Sequence, residues 1–357
     1  MAVLNKDNYH DSQNKNNILK MREVLNTLPP FCNTFFRGIS EYTSTRTRLA
    51  YAYDIRLFFE FLHEKNAICA KMQIEEYPIS LLNDITRLDI EEYLDYLTLY
   101  QKDGREITND ERGKARKLSA LRSFYNYFYQ NELIENNPAA LVPLPKRHEK
   151  EIIRLEPNEV AILLDQVEAG TKLTSKELEY HKKTKVRDVA LLTLLLGTGI
   201  RVSECVGLDI SDINFDEGGI KIRRKGGYET VIYFGEEVEI ALLDYLEERE
   251  QVIPAEGHEN ALFLSLQNRR MAVRSVENLV KKYSSRVTSL KKITPHKLRS
   301  TYGTNLYKET GDIYLVADVL GHKDVNTTRK HYAAMEQERR RRAANAVQLR
   351  DHKTKPE

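Results

Sequence analysis

Residues 294–332 read TPHKLRSTYGTNLYKETGDIYLVADVLGHKDVNTTRKHY. Thr294-Pro295 is a helix start, because threonine can cap and proline fits the first helical position. His296 and Arg299 then stand three apart on one face of the opening turn. The positive end of a helix dipole beside two donor side chains suits a phosphate. Gly321-His322 closes the apolar run 316–320, and Tyr332 follows His322 by ten residues. Such a site needs further residues from elsewhere in the chain.

The chain of 357 residues is long enough for two domains with their own cores. Charged residues make up 30% and hydrophobic residues 41%, which fits a globular protein rather than a disordered one. Lys and Arg number 55 against 53 Asp and Glu, so the net charge of +2 neither demands nor excludes nucleic acid. Local patches must decide that question. Cys32, Cys69 and Cys205 are far apart and form no CxxC pair, so no metal site and no disulfide framework is expected. The polar start, residues 1–16, has no apolar stretch of the signal-peptide kind. The dispersed cysteines fit a reducing cytoplasm, which is the expected compartment; the most apolar run, 189–196, is too short to span a bilayer, and no membrane partner is expected.

Residues 1 to about 14 read as unstructured, being polar and Asn-rich, and 18–28 have helical spacing up to Pro29-Pro30. Leu49, Tyr53, Leu57 and Phe61 recur at four-residue steps and predict an amphipathic helix over 44–64, with Arg46, Arg48 and Arg56 on its polar face. A second helix is expected over 86–100 with Asp89 as its cap, then a polar turn, then a third helix over 111–132. That third helix begins with Arg112, Lys114, Arg116, Lys117 and Arg122 and ends with Phe124, Tyr125, Tyr127, Phe128 and Tyr129. A charged helix face is ordinarily a solvated one, and composition alone favours that reading. The functional reading is a DNA-facing helix anchored by its aromatic end, with Arg46, Arg48, Arg112, Lys114, Arg116 and Lys117 as candidate contacts.

Pro138, Pro143 and Pro145 punctuate a basic stretch that reads as an extended linker. A helix opens near Pro157, and a buried one over 186–196 ends at Gly197-Thr198-Gly199. Ile220 and Ile222, then Val231 and Tyr233, alternate around a Lys-Gly-Gly turn and predict a small antiparallel sheet in a helical surround. Helices return after it, and no internal repeat is visible.

Four motifs in order now stand out: GTGIRVSECVGL around Arg201, RRKGGYETV around Lys225, ITPHKLRSTYGTNL around His296 and Arg299, and VLGHKDVNTTRKHY around His322 and Tyr332. Over about residues 31–345 the chain resembles the tyrosine recombinases, or phage integrase family, and within them the Xer-like branch. The resemblance implies a mainly helical, two-domain DNA clamp. An N-terminal extension (1–30) precedes a helical, SAM-like core-binding domain (31–140). A linker (141–155) leads to a mixed α/β catalytic domain with a small antiparallel sheet (156–345), and a tail (346–357) follows.

It also implies a reaction. Tyr332 is expected to attack a DNA phosphodiester and form a 3′-phosphotyrosyl link, which keeps the energy of the broken bond and needs no ATP or metal. Arg201 and Arg299 would hold the scissile phosphate, since guanidinium matches its oxygens and stays charged. Lys225 would protonate the leaving 5′-oxygen, His296 would accept the tyrosine proton, and His322 would donate a hydrogen bond to the phosphate. Glu204, one turn after Arg201, would orient Arg201 or His296. The sequence departs from the family pattern in places. His331 stands nine residues after His322, where the family usually has its tyrosine, and Ser300 and Ala334 stand where histidine is common.

Taken singly, each of these residues has an ordinary role as a surface cation, a turn lysine, a capping histidine or a packing tyrosine; their ordered combination is what points to chemistry. The expected partners are a double-stranded DNA target site and a homotetramer on two duplexes, with a septal DNA translocase as a further candidate. The expected role is chromosome dimer resolution by a cytoplasmic, nucleoid-associated enzyme. Integration or excision of a mobile element is the alternative. A non-catalytic DNA-binding protein, a metal-dependent nuclease using His296 and His322, and a type IB topoisomerase-like enzyme are rivals of other kinds. The basic segment 335–349 would pack on a neighbouring subunit or lie solvated.

Overall fold

The computed structural model describes residues 9–146, 153–224 and 227–322. The chain divides into two compact units, Met1–Lys150 and Glu151–Glu357.

In the first unit α1 (Tyr9–Leu25), α2 (Cys32–Gly38) and α3 (Thr45–Lys65) lead through short turns to α4 (Leu81–Asp84) and α5 (Arg87–Tyr96). A hairpin of β1 (Leu99–Lys102) and β2 (Arg105–Thr108) follows, then α6 (Glu111–Gln130) and α7 (Pro138–Leu141). The apolar faces meet in one core in which Phe35, Phe58, Phe59, Phe124 and Phe128 are buried. Their rings pack largely edge to face, as at Phe124–Phe128 with centroids 4.9 Å apart. Each such ring contributes about 1.5–3 kcal/mol by leaving water.

Three expectations change here. The polar start is helical from Tyr9, and Met21, Val24, Leu25 and Leu28 belong to the same core, so the segment within 1–30 is part of the bundle rather than an appendage. Its exposed Asn-rich turns are propagated from that packed end, and Thr45 ties them down by accepting from Asn17 at 3.3 Å and donating to Asn14 at 2.7 Å. Thr86, not Asp89, caps α5, and the Asp89 carboxylate returns a bond to the Thr86 N–H at 2.7 Å. The polar turn after α5 is a β-hairpin whose tip places Asp103 at φ 50° and Gly104 at φ 71°. Asp-Gly between short alternating runs is a hairpin signal, and here it wins over continuation of the helix.

In the second unit α8 (Pro157–Ala169), α9 (Ser175–His181), α10 (Lys185–Thr198) and α11 (Val202–Gly207) precede β3 (Ile213–Asn214), β4 (Gly219–Arg223) and β5 (Glu229–Tyr233). These strands form one antiparallel sheet in the order β3-β4-β5. Ile220, Ile222 and Ile232 face the core, whereas Val231 and Tyr233 point outward at 44% and 67% exposure. Then come α12 (Glu236–Glu250), α13 (Val273–Ser284), α14 (Pro295–Thr310) and α15 (Ile313–Leu320). α10 is the unit's central helix, with Leu191, Leu192, Leu194 and Leu195 buried and α8, α12 and α14 packed around it. No described helix is long and apolar enough to cross a membrane.

Candidate active site

The site is assembled around one helix end. α15 stops at Gly321 in the left-handed conformation, with the Gly321 N–H on Asp318 O at 2.8 Å and the His322 N–H on Ala317 O at 2.9 Å. Such a terminus still presents carbonyls and the negative end of the helix dipole. Arginines from three other elements answer them.

The first is Arg201. α10 closes on left-handed Gly199, the chain turns extended at Arg201, and α11 begins. Glu204, in the first turn of α11, accepts from the Arg201 N–H at 2.7 Å and from its Nη1 at 2.7 Å. The sequence spacing of three makes this pairing local, and burial of Glu204 at 6% exposure makes it strong. The other side of the guanidinium, Nη2, reaches Gly321 O at 3.2 Å and Leu320 O at 3.5 Å.

Arg299 is the second. Pro295 opens α14, and Arg299 lies one turn further, buried at 5% exposure. Its Nη1 donates to Gly199 O at 2.5 Å and its Nη2 to Leu320 O. Thr294 makes no side-chain cap; its carbonyl starts the helix by accepting from the Lys297 and Leu298 N–H groups. His296 sits exposed on the first turn, and its carbonyl accepts from Ser300 Oγ at 3.0 Å.

Arg224, which sequence reasoning passed over, is the third. It leaves the end of β4 and donates to Asp318 O at 3.2 Å and Val319 O at 2.7 Å. A Cβ added at Gly321 would overlap its Nη1, so the glycine is needed both for the turn and for this approach. Burial lowers the Arg224 pKa from its ordinary value; Glu204 opposes that shift and neighbouring Arg201 adds to it. The only local hint in the sequence is a second arginine before Lys225, which reads as a solvated charge run.

Arg201, Arg299 and His322 are thus brought to one place, with Glu204 behind Arg201. Lys225 and Tyr332 lie outside the described residues, as do the one-residue spacing change before Tyr332 and the basic segment 335–349. Among the described residues, three guanidiniums and one buried carboxylate meet here, an excess of positive charge that suits an anion with several oxygens.

The candidate DNA contacts of the first unit divide. Arg46 and Arg112 are exposed, and Arg48 is half-buried. Lys114 donates to Thr98 Oγ1 at 2.6 Å. Arg116 forks onto the buried Asp54, with Nη2 on Oδ1 at 2.7 Å and Nη1 on Oδ2. Burial raises the Asp54 pKa, and Arg116 and Lys117 hold it back. Lys117 is a correction: it is buried, its Nζ donates to Asn109 Oδ1 at 2.8 Å, and it is not a surface cation. Its helical phase places it with Leu118 and Leu121 on the core side.

A family model described as the phage integrase family matches residues 154–339. A tyrosine recombinase XerC of Caldanaerobacter subterraneus is 33% identical over 330 residues, covering 89% of this chain and 86% of that protein. A tyrosine recombinase XerS of Streptococcus agalactiae is 31% identical over 335 residues, covering 87% and 93%. Among solved structures, XerH bound to palindromic difH substrate in a post-cleavage complex superposes with a TM-score of 0.65 at 20% identity, covering 92% of this chain and 88% of that one. A lambda integrase dimer bound to a core site gives 0.59 at 16% identity, covering 84% and 93%. These two likenesses concern the fold.

Proposed function

This chain belongs to the phage integrase family and is a Xer-like tyrosine recombinase, and from that premise we propose that it cuts and rejoins double-stranded DNA through a 3′-phosphotyrosyl intermediate formed on Tyr332. The observation that carries the residue assignment is the meeting of Arg201 and Arg299 at the end of α15, next to His322. Arg201 and Arg299 hold the non-bridging oxygens of the scissile phosphate and stabilise the added negative charge of the transition state. The Tyr332 oxygen attacks phosphorus and its proton passes to His296. As the phosphorus–5′-oxygen bond breaks, the Lys225 ammonium gives a proton to the leaving oxygen. His322 donates to the phosphate, and the Glu204 carboxylate keeps Arg201 in place. Attack by a 5′-hydroxyl of the other duplex reverses these steps, so the covalent link replaces any nucleotide energy source.

XerH and lambda integrase were both solved on DNA, which supports DNA as the partner. In the first unit the exposed Arg46 and Arg112 are the contacts this reading favours. Assembly as a homotetramer on two duplexes, with a septal DNA translocase as accessory, follows from the same reading. The role that goes with this reading is chromosome dimer resolution at the nucleoid, with integration of a mobile element as the alternative.

A suicide DNA substrate tests the chemistry. Tyr332→Phe should bind the target and give no covalent protein–DNA adduct. Normal cleavage by that variant would remove Tyr332 from the nucleophile's role. Binding without any adduct by the unaltered protein would instead make it a DNA-binding protein on the same scaffold.

A further inference from the structure

We propose that Arg224 is a positioning residue, which latches the hairpin carrying Lys225 to the end of α15 and so sets the proton donor against the scissile phosphate. This role for Arg224 rests on the proposed role of Lys225 as general acid. Lys225 follows Arg224 directly in the chain, between the sequence positions of β4 and β5. A hairpin tip is held only by its own strands unless something outside them grips it. Arg224 supplies that grip, with Nη1 on Asp318 O at 3.2 Å and Nη2 on Val319 O at 2.7 Å. A forked, planar guanidinium that engages two successive carbonyls fixes orientation as well as distance, which a lysine could not do.

The place of attachment adds weight. Asp318 and Val319 lie in the last turn of α15, and the same terminus takes Arg299 at Leu320 O and Arg201 at Gly321 O. The two proposed phosphate-holding arginines and the lysine's hairpin are therefore referred to one helix end. Gly321 packs against the Arg224 guanidinium with no room for a Cβ, so the contact has a shape requirement on both sides. Both Nη groups of Arg224 are taken up by carbonyls of α15, and Lys225 is the next residue in the chain, so Arg224 acts on the reaction through that neighbour. A displacement of about 1 Å at a reacting group can cost on the order of a hundredfold in rate.

Leaving-group chemistry distinguishes this from the other roles an arginine could have. Single-turnover cleavage is measured on a substrate with the ordinary 5′-oxygen and on one with a 5′-phosphorothiolate, whose sulfur leaves without a proton. Arg224→Ala should slow the oxygen substrate by about ten- to a hundredfold and restore near-normal cleavage of the sulfur substrate. Arg224→Lys, which keeps the charge and the stem, should show the same pattern with a smaller loss, and its melting temperature reports on folding. Lys225→Ala is run alongside. If Lys225→Ala recovers on sulfur while the Arg224 variants stay equally slow on both substrates, Arg224 serves the phosphate or the fold and the latch is wrong. Wild-type rates for Arg224→Ala on the oxygen substrate also overturn it. If Lys225→Ala itself fails to recover, the general-acid reading falls first and the latch falls with it.

Discussion

Glu204 shows how much one side chain controls here. Its carboxylate is buried, and it holds Arg201 through a backbone N–H and a guanidinium nitrogen, both at 2.7 Å. Glu204→Gln keeps the size but presents an amide NH₂ where Arg201 needs an acceptor. We expect a loss of about 1–2 kcal/mol of stability, since Arg201 is partly solvated, read as a lower urea midpoint. Cleavage should fall about tenfold or more while target DNA still binds. Unchanged cleavage would mean that Arg201 does not need its partner. Glu204 was legible from its spacing of three from Arg201, because a capping pair is a local arrangement. Arg224 was not legible, since its partners are backbone carbonyls some 95 positions away and carbonyls have no sequence signature.

At the scale of elements, the join between α9 and the end of α13 offers a pH test. Glu177 accepts from the Thr174 N–H at 2.9 Å and from Arg286 Nη2 at 2.5 and 2.6 Å. The Thr174 N–H, then Arg286 and the Thr174 hydroxyl, hold its pKa down to about 2. An unfolded Glu titrates near about 4.3. The folded value is the lower one, so the stabilisation is complete above the unfolded value and is lost as pH falls from about 4.5 toward 2. Thermal midpoints should show Glu177→Gln less stable at neutral pH, with the gap to the unaltered protein closing through that window. A constant gap from pH 7 to pH 2 would sink the assignment. The same scale shows what periodicity reads well and badly. The long helices α3, α6 and α10 were legible because each repeats an apolar face over several turns. The β1–β2 hairpin was hidden because four-residue strands carry too little alternation to compete with the helix before them.

For the whole molecule, net charge is a poor guide. With 55 basic against 53 acidic residues the protein is almost neutral, yet three guanidiniums share one helix end with one buried carboxylate. DNA affinity should therefore follow local phosphate contacts. The slope of log affinity against log salt should be steeper than about −2, the value that a net charge of +2 would give at about −0.9 per neutralised phosphate. A slope near −2 would mean that the overall charge governs binding. The sequence by itself determined the family, the order of the motifs and most helices, because these depend on residue types at fixed short spacings. It also supplied Arg201, Glu204, Arg299 and His322 as site candidates. Only the tertiary structure decided that Lys117 is buried, that the segment from Tyr9 joins the first core, and that Arg201, Arg224 and Arg299 meet on the carbonyls of α15. The reason is physical. Burial and unsatisfied helix-end carbonyls belong to the packed chain, and no residue pattern along it encodes which distant side chain will reach them.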